Sequence, residues 1–544
     1  MGGFCFWVEL MGRTKSGDRV IGSSGEVTAK TRVSGSVPDC IVETQHAASL
    51  RFGCHFSDDP ITRFLPGVIL CDSMCRAIFR FSCFLLLSTL TLAQTPEQRT
   101  ANYLESIRNT PPLLEAFLRE MPKGGDLHNH LIGAIYAESY LQYAINDKLC
   151  IDQKQLTFVQ PPCDESRNIV PAQRVTTDPT LYRLMIDVLS MRDFVPYSMA
   201  GLSESREDHF FQTFGRFVSV ANAHTGETLA EVASRAGHQN ESYLEMTVGF
   251  DRNSGQVGSK TGWTDNFDEQ REKLNAAGIQ SAVAGVLKIL NDAEAEKDRL
   301  LACQDVAHAD PGCKVTIRYI YEVYRGTPRE QVFAEIMTGF AVVKADPRFV
   351  AVNPVMPEDG YTSMHDYSLH MRIFDYFHNL HPDVHLTEHA GELAPGQLPP
   401  NGLRSHIREA IETGHAQRIG HGVDVMQEDR PLELLREMAQ KRIAVEICLT
   451  SNDLILGVKG DGHPFPVYRK YGVPVVIATD DEGVSRSDMT HEYLRAVQGY
   501  GLNYAELKKI VRDSIAYSFA ESATKAKLLS DLDARFRDFE ARQH

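Results

Sequence analysis

Eight short apolar, β-branched runs recur along the chain, and the stretches between them carry apolar residues at helical spacing. The runs are 125–128, 243–248, 315–320, 349–352, 384–387, 418–421, 443–447 and 475–479, and segments 330–343, 365–380, 403–413 and 432–441 show the helical period. Strands that alternate with helices pair in parallel, and eight of them predict a (β/α)₈ barrel. A bare barrel takes about 250 residues. The chain has 544, so insertions are expected. The largest lies between the first two runs, at about 134–240, with helices predicted over 179–188 and 207–221. A second, 250–270, is rich in Gly, Ser, Thr and Asp and reads as a loop. From 504 onward the chain reads as closing helices.

The two ends of the chain read differently. Residues 1–73 lack sustained periodicity and mix Gly, Ser and Arg with scattered Cys, the composition of sequence that builds no core. From Met74, a short stretch with Arg76 and Arg80 leads into an apolar run ending at Ala93, the layout of a secretory signal peptide and too short to span a bilayer. The expected organisation is therefore an N-terminal extension over 1–73, disordered or upstream of a natural start at Met74; a signal peptide over 74–93; and a mature barrel over 94–544. That chain would be secreted or periplasmic, with no stable membrane anchor after cleavage. A disordered tail preceding a membrane-anchoring segment stays open as the alternative.

Cysteine placement agrees with export. Six of the eleven, Cys5, Cys40, Cys54, Cys71, Cys75 and Cys83, precede residue 94. Cys150 with Cys163, and Cys303 with Cys313, are close pairs flanked by turn residues, and in an oxidising compartment each can close a small loop. Cys448 sits inside an apolar run and reads as a packing residue. The net charge of −16 argues against nucleic acid, which needs a basic footprint, and favours a small neutral or cationic partner.

Short polar signatures stand at the ends of the predicted strands: His128-Asn129-His130, His389-Ala390-Gly391-Glu392, Gly420-His421-Gly422 and Asp480-Asp481. Residues two apart on a strand share a face, and catalytic groups in barrels converge from the C-terminal ends of different strands. His128, His130, His389 and Asp480 then supply three imidazoles and a carboxylate, a set that suits zinc better than magnesium or calcium. With one position open, zinc makes water reactive at neutral pH. Glu392, in an enclosed site, is a candidate general acid; His421 can orient or deprotonate the water; Asp481 can meet substrate or hold the attacking group. For His421 the plainer reading is a histidine satisfied by its neighbours, and for Asp481 a helix cap. His385 reads as packing or support, Asp126 as support for His128 or a polar strand end, and His365, His370 and His463 as solvated.

At these residues the chain resembles the adenosine and AMP deaminase family of the amidohydrolase superfamily, and within it the secreted adenosine deaminase-related growth factors. The likeness runs from Met121 to Gly483. It implies His128, His130, His389 and Asp480 as ligands of one zinc ion per chain. It further implies Glu392 as proton donor to purine N1, His421 as the group orienting hydroxide, and Asp481 as the contact to N7, in the hydrolysis of adenosine to inosine and ammonia. A nucleoside is the partner so implied, and a homodimer is compatible with it. Two departures stand out. After the fourth strand the family carries Asp-Leu-x-Gly-x-Glu, whereas this chain reads Asn353 to Glu358 with Met356 in the glycine's place, so Met356 and Glu358 are the expected purine contacts. Ile132 replaces an acid that compact members hold near the ribose. Another 6-aminopurine or ring substrate, or a signalling role through the 134–240 insertion, remains the alternative.

Overall fold

The computed structural model describes residues 94–199 and 202–543. The expected extension 1–73 and signal peptide 74–93, with their six cysteines, lie outside the described residues. Eight strands form one sheet in sequential order: β1 (Gly124–His130), β2 (Glu241–Val248), β3 (Thr316–Tyr324), β4 (Phe349–Val355), β5 (His385–Ala390), β6 (Arg418–His421), β7 (Ala444–Ile447) and β8 (Val475–Ile477). Every neighbouring pair is parallel, and a bridge between Asn129 and Asp480 brings the last strand back to the first. The sheet is a (β/α)₈ barrel. β1 and β4 are buried at every position, as strands covered by helices on one face and barrel core on the other must be.

Several strands outrun their apolar patterns. β5 continues from Thr387 through His389 to Ala390, and β3 reaches Tyr324, because backbone pairing persists where the side chains turn polar. The barrel's outer helices include Arg329–Ala345, Tyr367–Leu380, His406–Glu412 and Pro431–Lys441. The tail closes with Tyr504–Ala516 and Ser522–Arg542.

Within the large insertion, Pro179–Val188 starts where the Asp178 carboxylate accepts from the amides of Thr180 and Leu181. Arg206–Ala223 starts at a capping box formed by Ser205 and Asp208. A small antiparallel sheet, with Cys150–Asp152 between Thr157–Val159 and Ile169–Pro171, carries the Cys150–Cys163 disulfide. Cys303 pairs with Cys313, and Cys448 is free and buried.

The 250–270 segment is a correction. It holds helix Ser254–Thr261 and the start of helix Phe267–Ala276, not an open loop. The Asp251 carboxylate accepts from the amides of Asn253 and Ser254, and the Asn266 side chain from those of Asp268 and Glu269. The small residues serve close packing: a Cβ at Gly258 would lie 2.3 Å from the carbonyl oxygen of Glu330 on the neighbouring helix. Among the described residues no helix is long and apolar enough to cross a membrane.

Candidate active site

His128 and His130 end β1, His389 is near the end of β5, and Asp480 follows β8. The three Nε2 atoms form a triangle with sides of 3.1, 3.2 and 3.3 Å. Asp480 Oδ1 stands 3.5 Å from His128 Nε2 and 3.4 Å from His130 Nε2. Each imidazole is held from behind. His128 Nδ1 donates to Glu446 Oε2 (2.6 Å), His389 Nδ1 to Asn353 Oδ1 (2.8 Å), and His130 Nδ1 faces Glu322 Oε1 at 3.4 Å. With the proton on Nδ1, a neutral imidazole presents a lone pair at Nε2. Three lone pairs and a carboxylate oxygen at these separations repel one another unless an electrophile sits among them. The donor set, nitrogen and oxygen with no sulfur, fits a zinc ion. His421 lies in the same group, within 4.8 Å of the donor atoms of His128, His389 and Asp480.

Burial holds His389 well below the usual histidine range, so its ring is neutral. Buried Glu446, beneath His128, receives Arg418 Nε (2.5 Å) and Thr387 Oγ1 (2.8 Å) at its other oxygen. Burial alone would push it up, but the Arg418 charge and the His128 bond hold it ionised, at about 2. Asp126 Oδ1 accepts the His128 amide at 3.1 Å, which places it as support for that strand end.

Around this cluster three buried polar atoms have no partner among the described residues: Glu392 Oε1, His421 Nε2 and Asp481 Oδ1. Burial first, then the negative charge of Asp480, Glu358 and Glu207, pushes Glu392 well above the usual carboxylate range. Burial and adjacent Asp480 do the same to Asp481. Asp481 precedes a short helix, Glu482–Ser485, yet its side chain makes no capping bond. It occupies the space left by Gly133, where a Cβ would lie 1.5 Å from its Oδ1.

His421 has its tautomer set by a chain of bonds starting at a backbone donor. The Phe465 amide donates to His463 Nδ1 (3.1 Å), so His463 donates from Nε2 to Asn452 Oδ1 (3.0 Å). The Asn452 amide then donates to His421 Nδ1 (3.0 Å). His421 therefore keeps its proton on Nε2, and burial lowers its pKa to about 3. A neutral ring with an N–H pointing outward is a donor that orients; it is a poor base from that nitrogen.

The family model for adenosine deaminase matches residues 277–535. An adenosine deaminase from Clostridium acetobutylicum is 32% identical over 166 residues, 30% of this chain and 46% of its own length. An aminodeoxyfutalosine deaminase from Streptomyces coelicolor is 32% identical over 151 residues, 28% of this chain and 36% of its own. Over residues 277–535 the chain is similar to the adenosine deaminase family. It spans less than half the length of these curated relatives. In fold it is similar to adenine deaminase from Arthrobacter aurescens, with a TM-score of 0.51 and 17% identity over 76% of this chain and 99% of that one.

The cluster opens into a cavity of about 430 Å³ that Glu392, Asp480, Asp481 and Met356 line. Met356 has φ 87°, a conformation that suits glycine, and its side chain is 38% exposed there. Glu358 is a correction: it is not a cavity contact. Its two oxygens accept from the Gly391 amide (3.0 Å), the Glu392 amide (2.8 Å) and His406 Nδ1 (2.5 Å), which fixes the loop carrying Glu392. Burial raises the Glu358 carboxyl, but the His406 bond and the Arg325 charge outweigh it and hold it at about 2.

His370 and His463 are also corrections, since both are buried where solvation was expected; His365 is exposed. His385 stacks on Phe519 at 4.6 Å and is a packing residue. Sequence reasoning missed Glu446, Glu322, Asn452 and His463. A charged residue inside a fully apolar run, as Glu446 is between Val445 and Ile447, was a usable signal, because a buried charge must be paired. Asn452 and His463 carried none.

Proposed function

We propose that this protein is a secreted, zinc-dependent deaminase that hydrolyses adenosine, and 2′-deoxyadenosine with it, to the inosine product and ammonia. One observation carries the reading: the imidazole and carboxylate cluster stands beside three buried polar atoms, on Glu392, His421 and Asp481, that no group among the described residues satisfies. His128, His130, His389 and Asp480 would hold the metal. When bound, zinc would supply the Lewis acidity that makes water nucleophilic at neutral pH.

The remaining work falls to the chain's own groups. Glu392, kept protonated, donates to ring N1, which makes the neighbouring C6 electrophilic. His421 donates its Nε2–H to the attacking oxygen and holds it on one side of the ring. Asp481, also kept protonated, is a donor, and purine N7 is an acceptor. Addition of water at C6 and departure of the amino group as ammonia complete the exchange. Secretion is supported by the two disulfides and by the signal-like segment 74–93. Met356, a side chain where the resemblance expects glycine, favours a second reading in which another 6-aminopurine is the substrate.

The test is zinc content together with ammonia release from adenosine, 2′-deoxyadenosine, AMP and adenine. Turnover of adenosine supports the proposal. Zinc-loaded protein that releases ammonia from none of the four overturns it. N-terminal sequencing of secreted material checks the leader: a start near Gln94 is expected, and retention of residues before Met74 refutes it.

A further inference from the structure

The cavity in front of the metal cluster is lopsided. Away from His130, His389, Glu392, Asp480 and Asp481 its wall is apolar, with Phe210, Phe211, Phe214 and Val218 of the Arg206–Ala223 helix and, from other elements, Val355 and Met356. The polar exception is one pair, Glu322 and Tyr324, both on β3. The Tyr324 hydroxyl donates to Glu322 Oε2 (3.0 Å), while Glu322 Oε1 faces His130. Space for the pair comes from Gly249, where a Cβ would lie 2.2 Å from the Tyr324 hydroxyl and 2.6 Å from Glu322 Oε2.

A second, smaller cavity of about 50 Å³ adjoins the first and shares Ile132, Val218, Glu322 and Tyr324 with it. Its lining adds Asn222, Thr225, Thr228 and Thr247, and the Thr247 hydroxyl is buried without a partner. Its one arginine, Arg252, is committed to the Gly249 carbonyl and to Asn222 Oδ1. No lysine or arginine lines the larger cavity among the described residues.

We propose that Glu322 and Tyr324 form a subsite for a neutral, hydroxyl-bearing substituent of the substrate, and that the same pair excludes a phosphorylated one. This deepens the deaminase reading and rests on it. A ring placed over the metal cluster has an apolar wall beside it, so a sugar attached to that ring finds hydrogen-bond partners at this one place. A carboxylate accepts from sugar hydroxyls, and it repels phosphate at a wall where, among the described residues, no lysine or arginine stands to compensate. The substrate class is thus a nucleoside, with nucleotides rejected by charge.

The experiment is steady-state deamination by the zinc-loaded protein, with Glu322→Gln and Tyr324→Phe as variants and metal content measured for each. The wild type should turn over AMP with a kcat/KM roughly 100-fold or more below that for adenosine. Glu322→Gln should raise KM for adenosine about tenfold and narrow the adenosine to AMP ratio. Tyr324→Phe touches no predicted metal ligand and should raise KM with little change in kcat. AMP used as well as adenosine, or both variants retaining zinc with KM and the ratio unchanged, overturns the subsite while leaving the deaminase reading intact. If ammonia is released from no substrate, the deaminase reading fails instead. Calorimetric titration with inosine and IMP then decides the subsite: inosine binding at least about tenfold tighter supports it, and equal binding, or none, overturns it.

Discussion

Asp480 donates its backbone amide to the carbonyl of His128 (2.8 Å) and accepts the amide of His130 at its own carbonyl (3.2 Å). The bonds that bring the last strand back to the first are thus the bonds that set two imidazoles beside a carboxylate. The Asp480 side chain is aimed by Ser451, whose hydroxyl donates to Oδ2 at 2.6 Å. Its backbone lies at φ 59°, a left-handed conformation that an Asp or Asn tolerates better than most residues. Barrel closure and site assembly are one local event.

That relationship separates the metal from the fold. Asp480→Asn keeps a residue suited to the backbone conformation and removes only the charge. Zinc affinity should fall by about 100-fold or more, beyond the usual cost of losing an outer partner. The melting temperature of the metal-free protein should stay within about 3 °C of wild type. Metal titration and calorimetry in chelator check both halves, and a collapsed melting temperature would show that the carboxylate itself holds the barrel shut.

Glu392→Gln should retain zinc and lose kcat by about 10² to 10⁴-fold, the usual worth of a positioned acid. The raised pKa gives the pH dependence its sign. Only the protonated carboxyl can donate, so turnover should persist through neutral pH and fall as pH rises through the elevated pKa. A pH profile that instead falls on acidification through the ordinary carboxylate range would mark Glu392 as a base.

Asn452→Leu removes the donor that sets the His421 tautomer. The imidazole is then free to place its proton on Nδ1 and lose its outward N–H. Expected is a kcat decrease of about tenfold to 100-fold, a smaller change in KM, and full zinc content. A pure rise in KM would place His421 at substrate binding rather than at the attacking oxygen.

The legible and illegible parts of this chain divide along physical lines. The eight strands were readable because apolar runs alternate with helical periods, a signal that spans the chain. His128, His389, His421 and Asp480 were readable because each interrupts an apolar run where a barrel strand ends. Glu358 was misplaced because sequence shows that a carboxylate is near the site but not which way it points; here it turns to the Gly391 and Glu392 amides. The His463 to Asn452 to His421 chain was invisible, since it joins residues on three separate segments through contacts that leave no periodic trace. The 250–270 helices were hidden by small residues, which signal a loop and close helix packing equally well.

Glu388, next to His389 on β5, gives a test read in stability rather than turnover. Its side chain is fully buried with neither oxygen hydrogen-bonded, and burial pushes its pKa up to about 8, against a smaller opposing pull from Arg325. Between the ordinary carboxylate value and about 8, the folded protein keeps a proton that the unfolded chain releases, so stability falls as pH rises through that window. Glu388→Gln should flatten this decline and melt higher than wild type at pH 8, with little difference at pH 5. Parallel melting curves across that range would mean the carboxyl is neutralised by a partner.

Met356 joins backbone strain to substrate choice. A methionine at φ 87° costs about 1 to 3 kcal/mol, which glycine avoids, although glycine returns part of the gain as unfolded-chain entropy. Met356→Gly should therefore leave the melting temperature within a few degrees of wild type. Its side chain lies against Gly326, where a Cβ would stand 2.9 Å from the methionine Cε, so truncation widens the cavity at that wall. Loss of apolar contact should lower kcat/KM for adenosine by about tenfold, while a bulkier purine such as 2-chloroadenosine or N6-methyladenosine should lose less or gain. The measurement is the ratio of specificity constants for the bulkier and the natural purine in the two proteins. A ratio that does not move places Met356 outside the purine's reach and shifts the control of substrate size to the phenylalanines of the Arg206–Ala223 helix.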